Sequence, residues 1–145
     1  MSTERIVVQR NVADQFKQKL AEAAEKIFGK DAPAPFLVNS AAVTKNKKLV
    51  SDAVSKGANL LFGDASANES IDTSMRPIVV DGVTKDMDMY KTESFGPTVS
   101  LFVVDTEEDA IALANDTEYG LTSALFTTNL FRGLRVAKQI EAGYV

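Results

Sequence analysis

Short β-branched runs alternate along this chain with amphipathic helical runs, and that alternation most narrows the folds open to it. The last third shows it most cleanly. Thr98 to Val104 reads as a strand, Thr106 as the N-cap of a helix, and Asp109 as the partner that completes a capping box. Glu107 and Glu108 fall in the first turn, where the helix dipole favours acids. With Asp105, these acids read as helix-start charges and not as a metal cluster. Ala110, Ile111 and Ala114 then face inward. Such alternation favours parallel strands joined by right-handed helical crossovers. The expected fold class is α/β, with a mostly parallel sheet and crossover helices.

The rest of the chain extends the pattern. Ile6-Val7-Val8, within Arg5 to Gln9, reads as a buried strand. Asn11 reads as the cap of a first helix, with Phe16, Leu20, Ala23, Ala24 and Ile27 as its apolar stripe and Gly29 as a left-handed stop. Phe36 to Val38 is a short strand or a buried loop. Asn39 or Ser40 caps a second helix, with apolar pairs Ala42/Val43, Leu49/Val50 and Ala53/Val54, and Gly57 stops it. Asn59 to Phe62 is strand-like, and Ala65 to Met75 is a polar surface loop. Pro77 to Val80 is a strand closed by the Asp81-Gly82 turn. Asp86 to Tyr90 alternates Met87 and Met89 with acids as a further β-like run. After Tyr119-Gly120-Leu121 comes a strand over Ser123 to Thr127. A helix capped by Asn129 follows, with Leu130, Leu134 and Ala137 on one stripe. Gly143 ends it, and Tyr144-Val145 begins another strand.

Composition removes several function classes. A chain of 145 residues buries roughly 68–70% of its unfolded surface without a staple. A net charge of −4 argues against a nucleic-acid partner. Lys45, Lys47 and Lys48 read as a solvated helix face. The chain contains no cysteine and no histidine, which removes disulfides, thiolate metal sites and the commonest metal ligand. No metal site is expected. No apolar run approaches the length of a membrane span, and Met1 to Arg10 lacks a signal-peptide pattern. A cytoplasmic protein without a membrane partner is expected.

The chemistry concentrates in Glu93-Ser94-Phe95-Gly96-Pro97. Following a β-like run, this loop is expected where open α/β sheets bind ligands, outside the carboxyl ends of strands. A carboxylate there can accept two hydrogen bonds from vicinal ribose hydroxyls. Phe95 offers a flat apolar wall, Gly96 permits close backbone approach, and Pro97 fixes the exit. The plainer alternative is a solvated glutamate beside a core phenylalanine in a tight turn. Met75, Met87 and Met89 read as packing.

Glu93 to Val104, followed by Asn115-Asp116-Thr117-Glu118-Tyr119-Gly120-Leu121, resembles the C-terminal part of the aldehyde dehydrogenase catalytic domain. The matching pattern is an acidic residue, any residue, Phe-Gly-Pro, a strand, a helix, then Asn-x-x-x-Tyr-Gly-Leu. Thr3 to Val8 resembles the strand that follows the family's nucleophilic cysteine. By this resemblance, residues 1–145 are an incomplete catalytic domain, beginning just after the position of that missing cysteine. Glu93 and Phe95 are then cofactor-binding residues, Glu93 at the nicotinamide ribose of NAD or NADP and Phe95 beside the nicotinamide ring or the aldehyde. Asn115, Tyr119 and Gly120 match a structural turn. The resemblance implies an oxidoreductase that takes an aldehyde to its carboxylic acid through a thiolate adduct, with hydride leaving to NAD(P)+.

With no thiol of its own and no dinucleotide-binding domain, this chain alone is expected to be inactive, to hold no cofactor tightly and to supply no catalytic residue. Ser40 to Asp64 looks most like branches acting on aromatic aldehydes such as salicylaldehyde or vanillin. Strands cut off from their neighbours imply self-association. The competing function class is a non-catalytic α/β module that binds a partner or nucleotide. Such a module is expected to bring its own G-x-G-x-x-G loop, and the sequence has none.

Overall fold

A computed structural model describes residues 3–145. Met1 and Ser2, which belong to the expected extent of the domain, lie outside the described residues. β1 (Arg5–Gln9) runs directly into α1 (Arg10–Phe28). After these come α2 (Ser40–Ser55), β2 (Asn59–Phe62), β3 (Ile78–Asp81), α3 (Asp88–Lys91), β4 (Thr98–Val104), α4 (Glu107–Asn115) and α5 (Leu130–Ala137). The strands form one sheet in the order β1-β4-β3-β2. β4 is parallel to both β1 and β3, with Ile6 opposite Leu101 and Val80 opposite Ser100, while β2 is antiparallel to β3. The sheet is thus mixed but mostly parallel, as the alternation requires.

Helices cover both faces. Val50 and Ala53 of α2, with Met87, Met89 and Tyr90 around α3, pack on Ile78, Val80 and Phe102. Ile78, Leu101, Val50 and Val80 are almost wholly removed from solvent. Each such side chain contributes roughly 1.5–3 kcal/mol through burial. α1 packs against β1, β2 and β4, and its Lys17 reaches Asp81 at 2.5 Å. Asn39 caps α2 by accepting from the Ala42 N–H, and Thr106 and Asp109 form the full capping box on α4. Gly57 and Gly82 follow α2 and β3 with φ of 101° and 78°, as their stop and turn roles demand.

Several expectations need correction. β1 lies at the sheet edge, so Ile6 and Val7 are half-buried and only Val8 is buried. The cap of α1 is Gln9, not Asn11, because the helix starts as the strand ends. α1 buries Ala13 and Ala24, while Phe16 is 37% and Ile27 60% exposed. The face turned to the sheet is centred on Ala13, Leu20 and Ala24, and Phe16 and Ile27 lie at its margin. Gly29 ends α1 with φ −59°, so it is not left-handed. A side chain there would instead strike the Glu25 carbonyl. Phe36 forms only a single bridge to Ser74.

The last segment departs furthest from expectation. Ser123 to Thr127 forms no strand, and Phe126 is 92% exposed. Among the described residues its backbone is tied to a neighbouring segment by Gly143 N–H to the Gly120 carbonyl and Ser123 N–H to the Tyr144 carbonyl, too few bonds for a ladder. Tyr144-Val145 likewise starts no strand, and α5 ends at Ala137, well before Gly143. On α5 the buried residue is Val136, whereas Leu130 and Leu134 are exposed.

Candidate functional site

The Glu93–Pro97 loop joins α3 to β4. It does not follow a strand: Asp86 to Tyr90 turns into one helical turn, which buries Met87, Met89 and Tyr90 together where alternation along a strand would separate their neighbours. The loop enters the amino end of β4, so the rule placing ligands at carboxyl ends of strands does not account for it. The candidate site stands instead on how the loop is built.

Ser94 is buried, and Phe95 beside it is 74% exposed with φ 53°. Among the described residues it is the only non-glycine with positive φ. That conformation costs on the order of 1–3 kcal/mol and persists only where the surroundings enforce it. The Glu4 carboxylate accepts from the Ser94 N–H at 2.9 Å, the Phe95 N–H at 3.1 Å and the Ser94 hydroxyl at 3.1 Å. From the other side Lys45 Nζ donates to the Glu93 carbonyl at 2.7 Å. Asn46 of α2 is fully buried. Its Nδ2 donates to the carbonyls of Ala42 and Ser94, and its Oδ1 accepts from Thr98 Oγ1 at 2.6 Å. Gly96 packs directly on this amide, and the Pro97 carbonyl accepts from the Ile78 N–H at 2.9 Å.

The backbone of the loop is therefore held on both sides while two side chains remain available. Phe95 presents its ring to solvent. The half-buried Glu93 carboxylate makes no hydrogen bond or ion pair among the described residues. The structure thus brings the two expected site residues into one rigid loop. It adds Glu4, Lys45, Asn46 and Ser94, none of which the sequence singled out as a site residue. Asn46 left a signal, a polar residue on the apolar stripe of α2 between Val43 and Leu49. Glu4 left none, since it meets the loop only through the fold. Lys45 and Lys47, expected as a solvated face, both tie α2 to loops, Lys47 by bonding the Ala67 carbonyl at 2.6 Å.

Neighbouring polar groups serve the scaffold. Arg5 donates to the carbonyls of Leu113, Asp116 and Tyr90 and lies 4.9 Å from the Tyr90 ring centre. The Tyr90 hydroxyl donates to Asp116 at 2.7 Å, and Lys85 pairs with the same carboxylate at 2.7 Å. Lys85 first, then Tyr90, holds Asp116 below its ordinary range, and burial first raises Tyr90. Asn115 donates to the Gln139 carbonyl and accepts from the Glu141 N–H, the structural role expected of its turn. A cleft of about 330 Å³ at the carboxyl ends of β3 and β4 is lined by Arg10, Lys17 and Asp81, but these charges are paired, Lys17 with Asp81 and Arg10 with Asp105. Among the described residues no three His, Cys, Asp or Glu side chains gather as a metal site. No helix there is long and apolar enough to cross a membrane.

A mostly parallel sheet with helices on both faces, and a braced loop at the amino end of the inner strand β4, defines an α/β protein. A profile of the aldehyde dehydrogenase family matches residues 1–145, and the chain belongs to that family. It is 39% identical over 99% of its length to vanillin dehydrogenase of Pseudomonas fluorescens, covering 30% of that protein. It is 37% identical over 97% of its length to succinate-semialdehyde dehydrogenase [NADP(+)] 2 of Schizosaccharomyces pombe, again covering 30%. The crystal structure of succinic semialdehyde dehydrogenase from Streptococcus pyogenes with NADP+ superposes with a TM-score of 0.87 at 29% identity, over 97% of this chain and 32% of that one. The chain thus spans about 30% of the length of the curated relatives it matches.

Proposed function

We propose that this chain is part of an NAD(P)-dependent aldehyde dehydrogenase that oxidises an aldehyde to the carboxylic acid, and that Glu93 and Phe95 form its cofactor-facing wall. One observation carries the reading: the Glu93 carboxylate, without a partner among the described residues, lies in one loop with the exposed ring of Phe95, whose backbone a hydrogen-bond network holds left-handed. These residues fit the cofactor. The Glu93 carboxylate is an acceptor suited to two ribose hydroxyls, and the Phe95 ring is an apolar wall for the nicotinamide or the aldehyde. The nicotinamide, when bound, accepts hydride.

The chain has no cysteine, so in this reading the thiol nucleophile comes from polypeptide outside these residues, as does the dinucleotide-binding domain. In this reading residues 1–145 belong to the catalytic domain, and the 145-residue chain alone is inactive and binds cofactor weakly. Likeness to a vanillin dehydrogenase favours aromatic aldehydes as the first substrates to try. A cytoplasmic setting and self-association through exposed apolar surface complete the proposal.

The test is Glu93→Gln in the longer polypeptide that carries this segment. Hydrogen bonds to a charged group contribute roughly 1.5–3 kcal/mol, so cofactor affinity or turnover is expected to fall about 10- to 100-fold. Unchanged KM for NAD(P)+ together with unchanged kcat would show that Glu93 is not a ribose ligand.

A further inference from the structure

Glu4 stands ninety residues from the loop in sequence, yet its one carboxylate collects three of the loop's donors. Two of them are the consecutive backbone N–H groups of Ser94 and Phe95. Successive N–H groups converge on one anion only where the backbone turns out of extended or regular helical form. The left-handed φ of 53° at Phe95 is such a turn, so the carboxylate and the conformation go together. Hydrogen bonds to an ionised acceptor are roughly twice as strong as neutral ones. Glu4 is itself anchored, because its carbonyl accepts from the Ser100 N–H of β4 at 3.0 Å. The clamp thus ties the loop to the central strand.

Lys45 and Asn46 take the carbonyls of Glu93 and Ser94 from the opposite side. Between the two grips neither the Glu93–Ser94 nor the Ser94–Phe95 peptide rotates freely, and the side chains that flank this pair of peptides are Glu93, which makes no hydrogen bond or ion pair among the described residues, and the solvent-facing Phe95. Neither the capping signals nor the spacing of the loop motif pointed to Glu4. We infer that Glu4 is a positioning residue: its carboxylate holds Phe95 left-handed and thereby aims Glu93 and Phe95 at the cofactor. This inference rests on the reading of the loop as the cofactor-facing wall.

Glu4→Gln keeps the shape and replaces one acceptor oxygen with a donor that faces an N–H group. Amide hydrogen exchange in the chain reads the clamp without any cofactor. Exchange at Ser94 and Phe95 is expected to quicken by at least about tenfold, while Leu101 and Phe102 of β4 keep wild-type rates. In the longer polypeptide, KM for NAD(P)+ is expected to rise about tenfold with kcat changed less than about threefold, the pattern of lost binding. Unchanged exchange at Ser94 and Phe95 overturns the clamp and with it the aiming role, without touching the reading of Glu93 as a ribose ligand. Quickened exchange with wild-type KM overturns the aiming role. Glu93→Gln serves as the reference for the underlying reading: if it is kinetically silent, the ribose contact and this inference fall together. Should Glu4→Gln speed exchange throughout β4, Ser94→Ala takes its place, because it removes one donor to the carboxylate and leaves both backbone donors. A smaller rise confined to residues 94 and 95 is then expected, and no rise there overturns the proposal.

Discussion

Gly96 shows how closely the loop is fitted to what lies beneath it. A Cβ at this position would sit 2.5 Å from Asn46 Oδ1, well inside van der Waals contact. Asn46 cannot yield cheaply, since it is fully buried and bonded to Ala42, Ser94 and Thr98. Gly96→Ala is therefore expected to destabilise the chain by about 1–3 kcal/mol, the usual range for overpacking a filled interior. Urea unfolding of the variant beside the wild type measures it, and an unchanged midpoint would mean that Asn46 moves freely. Flexibility of the Gly96 backbone is not the reason for glycine here, because its φ is not among the positive ones. The sequence suggested close backbone approach at this position, and the approach is to Asn46.

Among the elements, α4 is the one whose start is most fully specified. Thr106 accepts from the Asp109 N–H, and the Asp109 carboxylate accepts in return from the Thr106 N–H and hydroxyl. Two orphan donors of the first turn are satisfied by side chains that the sequence places three apart. Thr106→Ala is expected to cost about 1 kcal/mol. The loss should appear as a lower thermal midpoint, with faster amide exchange confined to residues 107 to 110. No comparable loss is expected on truncating Gln9 before α1, whose side chain makes no cap bond. α1 also shows where periodicity is ambiguous. Phe16, Leu20, Ala24 and Ile27 recur at helical spacing, but the sheet takes the Ala13, Leu20 and Ala24 side of that stripe and leaves Phe16 and Ile27 exposed.

At the scale of the molecule, charge and exposed apolar surface make separate predictions. Lys56, Arg10, Arg135 and Lys85 donate to Asp52, Asp105, Glu107 and Asp116 respectively and hold each carboxyl below its ordinary range. In acid the folded chain therefore holds fewer protons than the unfolded chain. Stability rises with pH through that window and is lost as pH falls through the lowered values. The melting temperature is expected to drop as pH is lowered from about 5 to about 3, and to drop less in high salt because these pairs are exposed. A midpoint that climbs on acidification would contradict the pairing.

Separately, Phe126, Leu130 and Phe131 are 92%, 69% and 84% exposed, and β1 lies at the sheet edge. An uncovered edge and an apolar patch both favour association. Sedimentation velocity over a range of concentrations is expected to show species larger than the monomer, and a single monomer boundary throughout would refute this.

Much of the frame was legible in the residues themselves. β-branched runs bounded by Gly, Asp or Asn located β1, β3 and β4, the apolar run between Asn59 and Gly63 located β2, and Asn39, Thr106 and Asn129 announced their helices because a cap acts within one turn of chain. The Phe-Gly-Pro loop and the Asn115 turn marked the family for the same reason, as each is a contiguous motif. What depended on distant partners was hidden. Ser123 to Thr127 has strand-like residues, but a strand forms only beside a neighbour, and two backbone bonds do not make one. Asp86 to Tyr90 alternates like a strand, yet burying Met87, Met89 and Tyr90 against α2 and β4 favours a helical turn. Glu93 and Phe95 could be named from sequence as candidate site residues. The carboxylate that holds them in place could not, because Glu4 reaches them only after β1 has paired with β4, and that pairing exists only in the folded chain.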